Sequence, residues 1–187
     1  MGRFEEAIAE MKRAEQLDPV SPRLKTWVGR ILFAGRRYQE AIEQYRASSE
    51  LDPHHVCASL FLGESLVLQA VFGEAIASLQ KARSGDASPD NLGYLGFAYA
   101  KAGKRDEALA IDAELQELSS RSYVSPWYRA LIAIGLGETD QAFLWLDRAF
   151  EDRASMLVEL QTDPKLDGIR ADARFARLLR RVLTHNP

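Results

Sequence analysis

The chain has 187 residues, 47% hydrophobic and 27% charged, which supplies enough apolar material for a core and excludes disorder and collagen-like character. A net charge of -3 and a pI near 5.7 argue against nucleic acid or an anionic membrane as a general partner. Alanine and leucine number 26 and 24, against 8 Val, 8 Ile and 4 Thr, an excess that favours helices because β-branched side chains are stiff at χ1.

Taken in chain order, the start Met1-Gly2-Arg3-Phe4-Glu5-Glu6 lacks the apolar stretch of a signal peptide. A first helix is expected over Arg3 to Leu17, ended by Asp18-Pro19. Lys25 to Ala34 carries Trp27, Val28, Ile31 and Leu32 at helical spacing, and Gly35 is expected to end it at positive φ. Tyr38 to Leu51 repeats the pattern with Ala41, Ile42 and Tyr45, and Asp52-Pro53 stops it. His54, His55 and Cys57 follow at a helix start; neighbouring histidines diverge on a helix and no fourth ligand is near, so no metal site is expected. Gly93-Tyr94-Leu95-Gly96 lacks the third glycine and the preceding strand of a dinucleotide fingerprint. The longest apolar run, Ala130 to Leu136, is far short of the ~20 residues that cross a bilayer. The single cysteine, Cys57, excludes an internal disulfide and fits a reducing compartment, so the chain is expected to be cytoplasmic.

One signal recurs along these helices. Glu6-Ala7-Ile8, Glu40-Ala41-Ile42, Glu74-Ala75-Ile76, Glu107-Ala108-Leu109 and Gln141-Ala142-Phe143 place their alanines 34, 34, 33 and 34 residues apart. Gly29, Gly63 and Gly96 each precede an alanine of this set by 12 residues, and Leu17-Asp18-Pro19 and Leu51-Asp52-Pro53 also lie 34 apart. Each unit therefore reads as two helices, with the small residues where the pair must approach closely. A larger side chain there costs about 1–3 kcal/mol.

With this period and these residues the chain resembles the tetratricopeptide repeat family, whose units have small residues at positions 8, 20 and 27, bulky apolar ones at 4, 7, 11 and 24, and Pro at 32. The second unit supplies Val28, Gly29, Leu32, Ala41, Tyr45, Ser48 and Pro53; the third Leu62, Gly63, Leu66, Ala75, Leu79 and Ala82; the fourth Leu92, Leu95, Gly96, Tyr99 and Ala108; the fifth Ala130, Ala142, Leu146 and Ala149. Departures are Lys25, Ser59 and Pro126 at bulky position 4, and Asp112 and Leu115 at positions 24 and 27 of the fourth unit, so that helix is expected to be rotated or irregular and Asp112 solvated or hydrogen-bonded.

The resemblance implies an all-α, right-handed superhelical solenoid of antiparallel helix pairs: a half repeat at 3–19, full repeats at 22–53, 55–87, 89–120 and 123–154, and a C-terminal cap at 155–187. The missing half repeat suggests a piece of a longer protein. From Ser155 the rhythm ends. Leu160, Asp163, Pro164, Asp167, Arg170, Asp172, Arg174 and Phe175 resemble the closing segment of tetratricopeptide regions in bacterial multidomain signalling proteins. In the last helix Phe175, Leu178, Leu179 and Val182 form the buried stripe and Arg174, Arg177, Arg180 and Arg181 face water; with no aromatic to stack a base, this reads as a solvated cap rather than a nucleic-acid patch.

The resemblance also implies a concave groove lined by the first helix of each unit, here Arg23, Trp27, Arg30, Phe33, Leu60, Glu64, Tyr94, Phe97, Lys101, Trp127 and Tyr128. The clamp with which one subgroup grips a C-terminal carboxylate, Lys at position 5 and Asn at 9, is absent: those places hold Thr26 and Arg30, then Leu60 and Glu64. Aromatic anchors suit a peptide or helix. The expected function is thus a non-catalytic protein-interaction scaffold without cofactor or metal; an enzyme would require a catalytic domain ahead of residue 1. The alternative is self-association through Phe4, Ile8 and Met11, an apolar stripe with no preceding helix to cover it.

Overall fold

The computed structural model describes residues 4–185, with side chains from 5 to 184, and every regular element among them is helical. Ten α-helices follow in order: α1 Phe4–Leu17, α2 Pro22–Ala34, α3 Tyr38–Leu51, α4 Val56–Leu68, α5 Phe72–Gly85, α6 Pro89–Lys101, α7 Arg105–Ser119, α8 Pro126–Leu136, α9 Thr139–Glu151 and α10 Ala173–His185. Two 3-10 helices, Ser155–Glu159 and Pro164–Ile169, separate α9 from α10. The chain forms two compact units, Met1–Ala87 and Ser88–Pro187.

In the first unit α2 pairs with α3 and α4 with α5, α3 packs on α4, and α1 packs on α2. The second helices bury one stripe of small and large residues: Ala41, Tyr45 and Ser48 in α3, and Ala75, Leu79 and Ala82 in α5. Opposite them, a Cβ on Gly29 would run into the Tyr45 ring and one on Gly63 into Leu79. The helix pair closes tightly because position 8 carries no side chain. Helix α2 starts three residues earlier than apolar spacing suggests. Its signal is chemical: Ser21 accepts from the Leu24 N–H at 3.4 Å and Pro22 fills the first turn, where its missing N–H costs nothing.

The turns between paired helices share one geometry. The backbone N–H groups of Arg37, Val71, Lys104 and Glu138 donate to the carbonyls of Leu32, Leu66, Tyr99 and Ala133 at 2.9–3.0 Å, the six-to-one bond of a Schellman motif. The left-handed residue of that motif is Arg36, Ala70, Gly103 and Gly137 in turn. Gly35 itself sits at φ -82°, so the expected positive φ falls one residue later, where the motif's geometry requires it.

In the second unit α6 pairs with α7 and α8 with α9, and α6 packs on α8. Helix α7 is regular but rotated: it buries Ala108, Ile111 and Leu115, so Asp112 turns to the edge. There Arg129 donates to it from Nε at 2.7 Å. The repeat register does not stop at residue 155. Arg174 bonds Asp140 and Arg181 pairs with Asp147, each 34 residues earlier, and the two guanidiniums lie over Phe143 and Phe150 at 4.4 and 4.2 Å. Helix α10 thus holds the place of a further second helix, and the two 3-10 helices replace its first. The sequence hides this because α10 lacks the small-residue markers that reveal the other units.

Candidate functional site

On the first unit, the faces of α2 and α4 carry the residues expected to line a groove. Trp27 is 49% exposed and Arg23 is exposed, while Thr26, one position away, is buried and bonds Ser48 and the Pro22 carbonyl. Arg30 and Glu64 occupy the same position in successive repeats and form an ion pair at 2.8 Å, with the Glu64 carboxylate fully buried. The Arg30 guanidinium also lies 4.5 Å over the Phe61 ring and 5.2 Å from Phe33. The two charges expected to meet a partner therefore neutralise each other, because a buried carboxylate requires a cation beside it. Phe33 and Leu60 are buried in the packing. What this face presents outward is Trp27 with Arg23.

The second unit differs. Tyr94, Phe97, Trp127 and Tyr128 are all buried and only Lys101 is exposed. Tyr94 and Tyr128 meet edge to face at 6.2 Å, and the Tyr128 hydroxyl donates to Asp90 at 2.6 Å. Burial, reinforced by that carboxylate, pushes the Tyr128 phenol up. The chain's own tail covers these rings. The second 3-10 helix packs on α8 and brings the Lys165 ammonium 5.0 Å from the Tyr94 ring centre. Lys165 pairs there with Asp163 at 2.9 Å, both side chains 1% exposed. Neither residue stands out in the sequence. The one available signal was the cluster Leu157, Leu160, Leu166 and Ile169, four apolar residues that needed a surface to bury against and are buried.

The α1 stripe is not open as expected. Ile8 is 4% exposed, covered as α1 packs on α2, and Met11 is half-buried; the Phe4 side chain lies outside the described residues. The exposed apolar residues at this end are Leu17 and Val20. Beside α4, Pro53, His54, Val56, Ser59, Lys81, Ser84 and Gly85 line an open recess of about 240 Å³. Among the described residues, no group of three His, Cys, Asp or Glu is placed to hold a metal ion, and no helix is long and apolar enough to cross a membrane.

A family model for the tetratricopeptide repeat (TPR) matches residues 1–55 and 29–92. The chain carries tetratricopeptide repeats. Solved TPR structures have the same fold across most of the chain. A thermophilic TPR protein of Thermus thermophilus is 19% identical, over 97% of this chain and 92% of its own, with a TM-score of 0.66. MamA is 23% identical over 81% of this chain and 90% of its own, with a TM-score of 0.60. YrrB, described as a TPR protein with an unusual peptide-binding site, is 17% identical over 93% and 91%, with a TM-score of 0.55. No curated protein matches the chain. The TPR first helices are α2, α4, α6 and α8, and each carries an aromatic at one shared position: Trp27, Phe61, Tyr94 and Tyr128. Of these four rings, Trp27 alone is widely exposed.

Proposed function

We propose that this chain is a non-catalytic, cytoplasmic scaffold that binds a peptide or helix of a partner protein on the first-helix face of its first unit, within a larger bacterial signalling protein. The observation that carries this reading is Trp27, a large aromatic left half-exposed on a helix whose other face is fully packed. Aromatic anchors of this kind dominate interface energies. Arg23, one helical turn earlier on the same face, adds a charge that selects orientation more than it adds affinity. The peptide-binding site of YrrB, a protein of the same fold, supports the class of ligand.

The test is capture of partners on immobilised chain, followed by titration of a captured partner against wild type and Trp27→Ala. A hot-spot loss of ~2 kcal/mol or more weakens binding about 30-fold. Equal affinity for both proteins sinks the assignment.

The second reading is self-association. It draws on Leu17 and Val20, which lie exposed at the α1–α2 turn; it no longer draws on Ile8, which this chain covers itself. Sedimentation at rising concentration distinguishes it, since a mass that never exceeds one chain removes it.

A further inference from the structure

The tail of the second unit is built as a separate piece seated on a first-helix face. The backbone hydrogen bonds described for residues 157–172 close within the tail: Leu157 to Ala154, Leu160 to Leu157, Thr162 and Asp163 to Glu159, Leu166 to Asp163, Arg170 to Asp167 and Asp172 to Ile169, at 2.8–3.4 Å. Side chains lock the same turn from inside. Asp163 Oδ1 accepts from the Lys165 N–H at 2.9 Å, Arg170 Nη2 donates to the Asp163 carbonyl at 2.8 Å and Arg170 Nε to Asp167 at 2.7 Å. What reaches the repeat helices is side chain: the Lys165 ammonium over Tyr94, and the packing of the second 3-10 helix on α8. Lifting the turn off therefore strands none of these backbone donors.

The polar centre of the contact points the same way. Lys165 and Asp163 form their ion pair within the turn, so the pair travels with it. A buried ion pair gains little net free energy over an apolar pair of the same shape, because both charges recover their hydration on exposure. Short 3-10 helices add little cohesion of their own. The face beneath is thus held by a few apolar side chains and one lysine, on a surface that in the first unit stands partly open at Trp27.

We infer that residues 155–172 are a displaceable intramolecular ligand of the Tyr94–Tyr128 face, and that a partner occupies this face with a turn of the same chemistry, an Asp-Pro-Lys-Leu type. Such a turn brings a lysine for the Tyr94 ring, an aspartate to neutralise it, and a leucine for the apolar floor. This concerns the second unit and stands apart from the Trp27 reading, which a different variant tests.

Two measurements on the full chain decide it. In native-state hydrogen exchange, the amides of 157–172 open locally, with protection at least ten-fold below that of α6 and α8; protection equal to α8 means the tail opens only with the whole unit and overturns the inference. A fluorescent synthetic peptide of residues 155–172 is then titrated into wild type and Lys165→Ala. Loosening the chain's own turn is expected to tighten peptide binding at least ten-fold, and the same peptide bearing Lys165→Ala is expected to lose that gain. Equal or absent binding to both chains overturns the inference, as does equal binding of both peptides. Should the Lys165→Ala chain fail to fold, the exchange result on wild type decides alone.

Discussion

At the turn of each helix pair one residue sits at positive φ: Arg36 at 61°, Ala70 at 58°, and Gly103 and Gly137 at 76°. Two of these four are glycine, for which this conformation is free of the Cβ clash that costs an L-residue about 1–2 kcal/mol. Arg36→Gly and Ala70→Gly are expected to stabilise the chain by about 0.5–1 kcal/mol each, since the relieved strain outweighs the extra unfolded-state entropy; urea denaturation midpoints measure it. Gly29 is the opposite case. Its place is a helix interior, and an added Cβ meets the ring of Tyr45, which is wholly buried. Gly29→Ala is expected to cost about 1–3 kcal/mol, read as a lowered midpoint in the same assay. The two glycine classes are spaced identically in the sequence, yet one serves the backbone and the other the packing.

Among the elements, α10 shows how a helix without repeat markers keeps the repeat's register. Asp172, just ahead of it, accepts from the Arg174 backbone at 2.8 Å and from its guanidinium at 2.7 Å, and those bonds hold the Asp172 carboxyl down at about 2. A depressed carboxylate contributes stability that is present above its unfolded value near ~3.9 and is lost as pH falls through the folded value. The α10 amides are therefore expected to lose exchange protection in acid, between about pH 4 and 2, and Asp172→Asn to remove that pH dependence. A wild-type profile that stays flat across this window contradicts the assignment. Periodicity along the chain did reveal that α7 departs from the pattern, because Asp112 broke an apolar stripe. It did not reveal that α10 continues it, because ion pairs from Arg174 to Asp140 and Arg181 to Asp147 carry the register there.

For the whole molecule, charge decides what is attracted at a distance. The net charge is -3, and of the tail arginines Arg170, Arg174 and Arg181 are each matched by a carboxylate, leaving Arg177 and Arg180 exposed. Neutralised guanidiniums release no counterions from a phosphate backbone. Fluorescence anisotropy with random-sequence duplex DNA at low ionic strength is expected to show no binding; a complex that dissolves steeply with added salt would contradict this.

The sequence by itself determined the helices, their pairing and the period, because those follow from local spacing: an alanine or glycine recurring every 33 or 34 residues, a proline at a helix end, an apolar stripe. It also placed every first-helix aromatic on its proper face. Tertiary structure alone decided which of those faces is open. Arg30 and Glu64 cancel across two repeats, Ile8 is covered by its neighbour helix, and Lys165 lies on Tyr94 from 71 residues away. Exposure depends on what a distant segment covers, and no local pattern encodes that. A tyrosine waiting for a partner and a tyrosine already covered by its own chain read the same in one dimension.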